Sequence, residues 1–431
     1  MKNITLFKAS LVALALASVC SVNAESLAIT NATIHTVTEQ GVLTNATVVI
    51  DNGKIIAINP EKINADVVFD AMGKILTPGL IGSMNTLGLV EVNAVSRTRD
   101  ASDKKADITF DASLAFNPRS TVVPYTRKGG ITSNVTVPSG GESMFKGQTF
   151  VTDLSGEFDS VYIKENAVII DLGAKSSGSR ALNLQKLRYK LEDAQKALTK
   201  AAEDAKEAKE AKEAKKDKKA DDKKKTPKAL KRDEKIINAI LAGDKPLVAY
   251  ADRATDLLEL LKLKAEFNLD LVIAGGADAI LIAEQIAAAK VPVIFGALDN
   301  LPSSFDSLHS SLKNTAKLTQ AGINVALAIH DAHNLYQLRF EAGNAIANGL
   351  TKEQALAAVT ANVADAFNIN AGRIAVGKKA DLVLWSADPF ELSTKVDKMW
   401  IDGKEYSTQS RQDELRKRYT TESEMPRGYT K

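Results

Sequence analysis

Two histidines and an aspartate, His330, Asp331 and His333, lie in one short segment of this sequence and are the residues best suited to chemistry. Imidazole and carboxylate groups are suitable ligands for zinc or iron. These side chains are therefore candidate ligands for one divalent metal ion, and His309 or Asp299 would add a ligand if the fold brings it near. Histidines in loops are also often only hydrogen-bonded residues, so a chain with no metal is the alternative.

Acid–base chemistry without a metal is a third interpretation of the same region. Asp331 would act as general base, and Tyr250 would donate a hydrogen bond toward a developing oxyanion. Tyr250 also has a plain structural interpretation, as a residue that fills space in the core. Thiol and serine-triad chemistry are excluded because the only cysteine is Cys20, inside a leader, and no Gly-x-Ser-x-Gly motif occurs.

The first part of the chain, residues 1–24, has the pattern of a secretory signal peptide. Lys2 and Lys8 give a basic start, an apolar run extends from Leu11 to Val22, and small residues end at Ala24. We expect cleavage there and export of the mature chain to the periplasm. The apolar run is roughly a dozen residues, shorter than the about 20 that cross a bilayer, so we expect no transmembrane anchor.

Net charge argues against nucleic acid as a partner. The full chain has a formal charge of +3, and removal of the leader takes away two lysines and no acidic residue, which leaves +1. This balance gives no basic field that would attract a polyanion. A small-molecule substrate or ligand is the expected partner.

Strand and helix patterns alternate from Pro246 onward, and this alternation positions Tyr250 and the histidine segment. The strand pattern Leu247–Tyr250 is followed by a helix pattern over Arg253–Phe267. The later units are predicted as strands at 271–274, 291–295 and 323–329 and helices at 277–289, 304–321 and 336–348. Such alternation predicts a parallel sheet with right-handed crossovers. An open doubly wound sheet is the structural alternative, but no glycine-rich phosphate loop opens these helices.

Short β patterns occur at both ends of the mature chain. In the first, two alternating strands flank Asn52-Gly53, a strong hairpin signal. The second includes the apolar stretch Leu382–Trp385 and a turn at Asp402-Gly403. We predict that residues 25–75 and 372–410 together form one small β-sandwich domain.

A Lys/Ala/Glu-rich tract interrupts the alternation at residues 190–233. Glu and Lys recur at helical spacing, which favours an exposed helix stabilised by charge pairs. After Leu198 its apolar positions are nearly all alanine, too little for a strong coiled coil. The tract is predicted to be a solvated helical insertion, and the alternative is an arm that docks a protein partner.

Two longer motifs carry a resemblance to a known family. Asp70–Gly82 resembles the entry to the first barrel strand of the amidohydrolase superfamily, especially of proteins related to imidazolonepropionase. The stretch from Gly349 to Val383 resembles the exit from that barrel. The resemblance implies a (β/α)₈ TIM-like barrel over residues 76–371, with its chemistry at the carboxyl ends of the strands.

The same resemblance implies that the metal site is degenerate. Members of the superfamily use one or two divalent metals held mainly by histidines, and the expected His-x-His pair aligns here with Met84 and Thr86. The position after the fifth strand falls at Tyr250, and the position after the sixth falls around 274–276. Asp331 or a neighbour matches the aspartate that follows the eighth strand.

Two functions therefore stay open at this stage. One is a periplasmic hydrolase acting on a carbon–nitrogen (non-peptide) or similar bond with an atypical or reduced metal site. The other is a catalytically inactive barrel that binds a ligand or serves as a partner subunit.

Overall fold

The computed structural model describes residues 25–173, 178–214 and 230–421. The predicted signal peptide, 1–24, and the Lys-rich stretch 215–229 lie outside the described residues. Among those that are described, no helix is both long enough and apolar enough to cross a membrane.

Strands and helices alternate through most of the described chain. The strands are β1 Leu27–His35, β2 Val42–Asp51, β3 Lys54–Ile58, β4 Val67–Asp70, β5 Ile75–Pro78, β6 Leu80–Asn85, β7 Ile131–Thr136, β8 Phe145–Gln148, β9 Phe150–Asp153, β10 Val161–Ile163, β11 Val168–Asp171, β12 Leu247–Ala251, β13 Leu271–Gly275, β14 Val293–Phe295, β15 Val325–Leu327, β16 Leu382–Trp385, β17 Val396–Ile401 and β18 Lys404–Glu405. The α-helices are α1 Val122–Arg127, α2 Arg180–Ala214, α3 Arg232–Leu241, α4 Ala254–Phe267, α5 Ala283–Ala288, α6 Asn314–Gln320, α7 Leu338–Ala347, α8 Lys352–Ala358, α9 Ala361–Ala366 and α10 Arg411–Thr420.

The two ends of the described chain share one eight-stranded sheet. Its order is β18-β17-β16-β5-β1-β2-β3, and β4 also pairs with β1. The hairpin predicted at Asn52-Gly53 is confirmed: both residues have positive φ angles, 47° and 74°, and Asp51 pairs with Lys54 across the turn. Leu76 of β5 pairs with Leu384 of β16, so this contact joins the two ends.

The predicted parallel strands form a second sheet, of six strands, in the order β15-β14-β13-β12-β11-β8. From β11 to β15 every neighbouring pair is parallel, and helices follow β12, β13, β14 and β15. The prediction of an α/β fold is confirmed. A third sheet, β10-β9-β7-β6, pairs β6 with β7 in parallel.

One segment runs against its neighbours. β8 is antiparallel to β11, and β9 is antiparallel to β7. The connection from β7 to β8, residues 137–144, contains no helix. A parallel connection needs a crossover of about a dozen residues or more, so this short loop returns the chain in the opposite direction. The uniform parallel order that the resemblance implied is therefore wrong for this segment.

Apolar side chains from the six-stranded sheet and from the four-stranded sheet, the two central sheets, meet in one buried cluster. It includes Ile81 and Met84 of β6, Val248 of β12 and Ile294 of β14. The backbone N–H of Ile81 donates at 2.9 Å to the backbone oxygen of Val359, which lies after β15, between α8 and α9. The two sheets thus enclose a common core, which holds the carboxyl ends of their strands close together.

The predicted helix over residues 304–321 is wrong in its first half. Only Asn314–Gln320 is α-helical, and a 3₁₀ turn occupies Phe305–Ser307. The Ser307 hydroxyl accepts the backbone N–H groups of Ser303 and Ser304 at 3.0 and 3.1 Å. Such side-chain bonds compete with helix formation, so 296–313 is a serine-rich loop instead.

The helix in the Lys/Ala/Glu-rich region begins earlier than the predicted insertion 190–233. Helix α2 starts at Arg180, and Leu187 and Leu191 in its first turns are buried against the core. From Gln195 to Glu207 its side chains are exposed. The helix is therefore anchored at its start and solvated beyond.

Candidate functional site

A cavity of about 350 Å³ opens at the carboxyl ends of β12 to β15. Tyr250 lies near the end of β12 and Asp252 directly follows it. Phe295 ends β14, and His330 follows β15. In parallel α/β folds, ligands bind at this end of the strands because the loops there are free to vary.

A larger hollow, about 760 Å³, lies next to it between the start of α2 and α4. Its charged groups already pair with one another: Arg180 contacts Asp256 and Asp306, and Arg253 contacts Asp256. We assign the site to the smaller cavity, because it follows four parallel strands and contains Tyr250 and His330.

Tyr250 presents a protonated phenol to this cavity. Burial, reinforced by the negative charge of Asp171, raises the pKa of Tyr250 far above its ordinary value. Its ring centroid is 6.3 Å from that of His330, with the planes inclined at 47°. No described residue forms a hydrogen bond with its hydroxyl, so the phenol is available as a donor to a ligand.

His330 has one ring nitrogen engaged and one available. Its Nδ1 lies 3.1 Å from the backbone oxygen of Met84. A carbonyl oxygen can only accept, so Nδ1 carries the proton, and in the neutral ring Nε2 keeps its lone pair. His330 therefore offers the cavity an acceptor that is also a suitable base.

His333 and Asp331 have different surroundings from His330. His333 Nε2 lies 3.0 Å from the backbone oxygen of Glu91, and Asp331 caps the 3₁₀ turn Ala332–Gln337 by accepting the His333 N–H at 3.0 Å. Neither residue lines the cavity. The structure thus brings Tyr250 together with His330 and leaves Asp331 and His333 outside.

This arrangement of donors does not fit a metal ion. His330 and His333 are hydrogen-bonded to different backbone carbonyls, and Asp331 is used as a cap. Within the described ranges, no three His, Cys, Asp or Glu side chains are grouped so that they could hold one. The predicted ligand set would need other side-chain conformations to act together.

Two cavity residues were missed as site candidates from the sequence. Asp252 is partly buried and accepts the Ala277 N–H at 3.2 Å, and burial raises the pKa of its carboxyl group. Asn314, the first residue of α6, is only 7% exposed. The position of Asp252 directly after a parallel strand was a usable signal. Asn314 gave none, because the serine-rich loop before it was predicted to be helical.

Comparison with known families gives one match that spans most of the chain. Residues 157–406 match the Amidohydrolase family. A curated relative, Amidohydrolase tasK of Hapsidospora irregularis, is 31% identical over 112 residues. That match covers 24% of this chain and 11% of the relative, so this chain corresponds to only a small part of that protein.

Solved structures show the same fold. A crystal structure of an amidohydrolase from Thermotoga maritima MSB8 has a TM-score of 0.73 at 24% identity, covering 88% of this chain and 99% of its own. A prolidase complexed with N-methylphosphonate-L-proline has a TM-score of 0.53 at 14% identity, with coverages of 89% and 100%.

Proposed function

This chain belongs to the amidohydrolase family, and from that premise we propose that it is an exported hydrolase that cleaves a carbon–nitrogen or similar bond of a small molecule. The observation that carries the proposal is the cavity at the carboxyl ends of β12 to β15, where Tyr250, Asp252 and His330 meet. Acidic, basic and hydrogen-bond-donating groups in one concave site are what hydrolysis of an amide-like bond needs.

The proposal includes a closed barrel formed by the two central sheets. Their shared apolar core supports closure between β15 and β6, and the hydrogen bond from Ile81 to Val359 joins β6 to the helices that follow β15. The eight-stranded sheet would fold on itself as a small β-sandwich. The motif at Asp70–Gly82 supports a relationship to imidazolonepropionase within the family.

The chemistry we propose uses this chain's own side chains. His330 Nε2 accepts a proton as water attacks the carbonyl carbon, and the Tyr250 phenol donates to the oxygen that becomes negative. The carbon–nitrogen bond then breaks, and the leaving nitrogen takes the proton that His330 Nε2 accepted from the water, which restores the neutral imidazole. The site is atypical for its family because Met84 and Tyr250 stand where the resemblance expects histidines.

A ligand-binding barrel without turnover is the second candidate function. It is favoured by Met84, which is 3% exposed and fills the first-strand position, and by the two histidines bonded to carbonyls. In this alternative the tract 190–233, part of which is not described, would serve as a contact for a protein partner.

The test compares His330→Ala with His333→Ala in the purified mature protein, over a panel of amide, lactam and imidazolone substrates. Loss of a positioned base lowers kcat/KM by about 10²–10⁴-fold, so we expect that loss in His330→Ala. His333→Ala should change it less than threefold, since His333 lies outside the cavity. Equal effects of both substitutions would contradict the assignment.

Element analysis and cell fractionation complete the test. About one zinc or iron per chain, lost in a His330→Ala, His333→Ala double variant, would show a metal site formed by a different arrangement of these side chains. A panel with no turnover but with specific ligand binding would favour the silent barrel. Retention of the chain in the cytoplasm would contradict export.

A further inference from the structure

The cavity is negatively charged on its inner surface. Two carboxylates, Asp252 and Asp299, line it, and none of the described residues that line it is lysine or arginine. Asp252 is partly buried, and the nearby carboxylates of Asp278 and Asp306 add to the negative potential, since they raise its pKa beyond the effect of burial.

The nearby positive groups face elsewhere. Arg180 is paired with Asp306 and, at 3.6 Å, with Asp256, and it lines the neighbouring hollow. Arg253 lines the same hollow. His309, whose Nδ1 lies 2.7 Å from a carboxylate oxygen of Asp278, does not line the cavity. These contacts leave Asp252 without a cationic side chain inside the cavity.

A largely buried amide adds a hydrogen-bond acceptor to the cavity. Asn314 is 7% exposed and lines the cavity. Its Nδ2 donates to the backbone oxygen of His309 at 2.8 Å, which leaves its Oδ1 without a hydrogen-bond partner among the described residues. An amide oxygen has two lone pairs, so Oδ1 can accept a hydrogen bond from a donor group of a ligand in the cavity.

The remaining walls combine the serines of the loop 303–311 with aromatic and aliphatic side chains. The rings of Tyr250 and Phe295 line the cavity together with Leu301 and Leu318. Aromatic faces attract organic cations, and aliphatic walls favour an apolar substituent rather than a hydrated metal ion. Acceptors, aromatic rings and apolar side chains thus converge in a space of about 350 Å³.

We propose that this cavity selects a small organic cation, an ammonium or guanidinium group joined to an apolar group, with Asp252 as its counter-ion and Asn314 Oδ1 as a hydrogen-bond acceptor. The inference rests on the proposed function in one respect: the bound cation would then be hydrolysed. Selection of the cation is a property of binding and can be measured alone.

The experiment compares four probes of similar size on the mature protein: benzylamine, benzamidine, benzyl alcohol and benzoate. Calorimetry and thermal shift at millimolar concentration should show binding of the two cations, at least tenfold tighter than that of the neutral and anionic probes. The preference should weaken with added salt, because charge attraction is screened.

Four variants, one of them a control, locate the effect. Asp252→Asn should lower cation affinity about tenfold or more, and Asp252→Glu should retain the preference for cations. Asp270→Asn is the matched control, because it removes one carboxylate at the opposite end of β13. Asn314→Leu gives a second readout if Asp252→Asn does not fold, and it should also weaken binding of benzylamine.

Two outcomes would overturn the proposal: benzoate binding as tightly as benzylamine, or an unchanged preference in both Asp252→Asn and Asn314→Leu. Cation binding without any turnover would leave this inference standing and contradict the proposed hydrolase. Hydrolysis of neutral amides with no preference for cations would support the proposed hydrolase and contradict this inference.

Discussion

Asp381→Asn is the most informative single change for the stability of the fold. Asp381 lies just before β16, and both of its carboxylate oxygens accept from Lys379 Nζ, at 2.7 and 2.9 Å. It also accepts from the Ser133 hydroxyl at 3.0 Å and from the Asp402 N–H at 2.8 Å. The carboxylate therefore connects the eight-stranded sheet to β7.

The magnitude follows from burial. The side chains of Asp381 and Lys379 are 3% and 17% exposed. Burial lowers the pKa of Lys379, but attraction from Asp381 and Tyr162 outweighs it and the net shift is upward. Removing one partner of a buried pair typically costs 3–5 kcal/mol because the other charge stays buried and unpaired. Asparagine retains one acceptor oxygen, so we expect about 3 kcal/mol.

Urea unfolding of Asp381→Asn, Lys379→Met and the double variant gives the free energy of unfolding of each, and together with the unmodified protein they form a double-mutant cycle. The double variant should be more stable than Asp381→Asn, since no unpaired charge is left. Asp388→Asn breaks the exposed pair with Lys352, whose side chain is 58% exposed, and should cost less than about 1 kcal/mol. If Asp381→Asn costs no more than this control, the reasoning is refuted.

Three further predictions concern the same scaffold. Gly130→Ala should destabilise the chain by about 2–3 kcal/mol in urea unfolding, because φ is +81° and a Cβ would lie 2.2 Å from the Trp385 ring; an unchanged midpoint would contradict this packing. Burial raises the pKa of Tyr162 from 10.0 to about 12, so the contribution of this shift to the free energy of unfolding is complete below pH 10 and is lost as the pH rises through 12. Between pH 10 and 12, the stability of Tyr162→Phe in urea unfolding should therefore depend less on pH than that of the unmodified protein. Leu191→Ala, at a fully buried position, should cost about 2–5 kcal/mol, whereas Leu198→Ala, 41% exposed, should stay within about 0.5 kcal/mol by thermal or urea unfolding.

Much of the fold could be predicted because hydrophobic patterning is local. The strand Leu247–Tyr250 and the helix that follows it are present within a residue or two of their predicted bounds. The direction of Phe145–Gln148 could not be predicted in this way, because strand direction depends on the length of the connection and on which neighbours it reaches. The helix predicted over residues 304–321 was wrong in its first half for another reason, because the side-chain hydrogen bonds of the serines in 303–311 compete with helix formation.

The candidate site was predictable where residues follow parallel strands. Tyr250 lies near the end of β12 and His330 follows β15, and parallel strands of one sheet bring their carboxyl ends to one edge. His333 is only three positions beyond His330, yet the cap formed by Asp331 turns the chain and directs it to Glu91. The spacing of residues in a loop does not fix the direction of their side chains. A position at the carboxyl end of a parallel strand does place a residue at the shared edge of the sheet.

The sheet shared by both ends also constrains how the chain can fold. Trp385 donates its indole N–H to the Thr77 hydroxyl across 308 residues of sequence. Closing a loop of that length costs about 5 kcal/mol of chain entropy, so we expect β5 to pair with β16 only after the intervening residues have folded and shortened the gap. Until then the edge of β5 is an open template for other strands, and refolding yield should depend on a chaperone or on dilution.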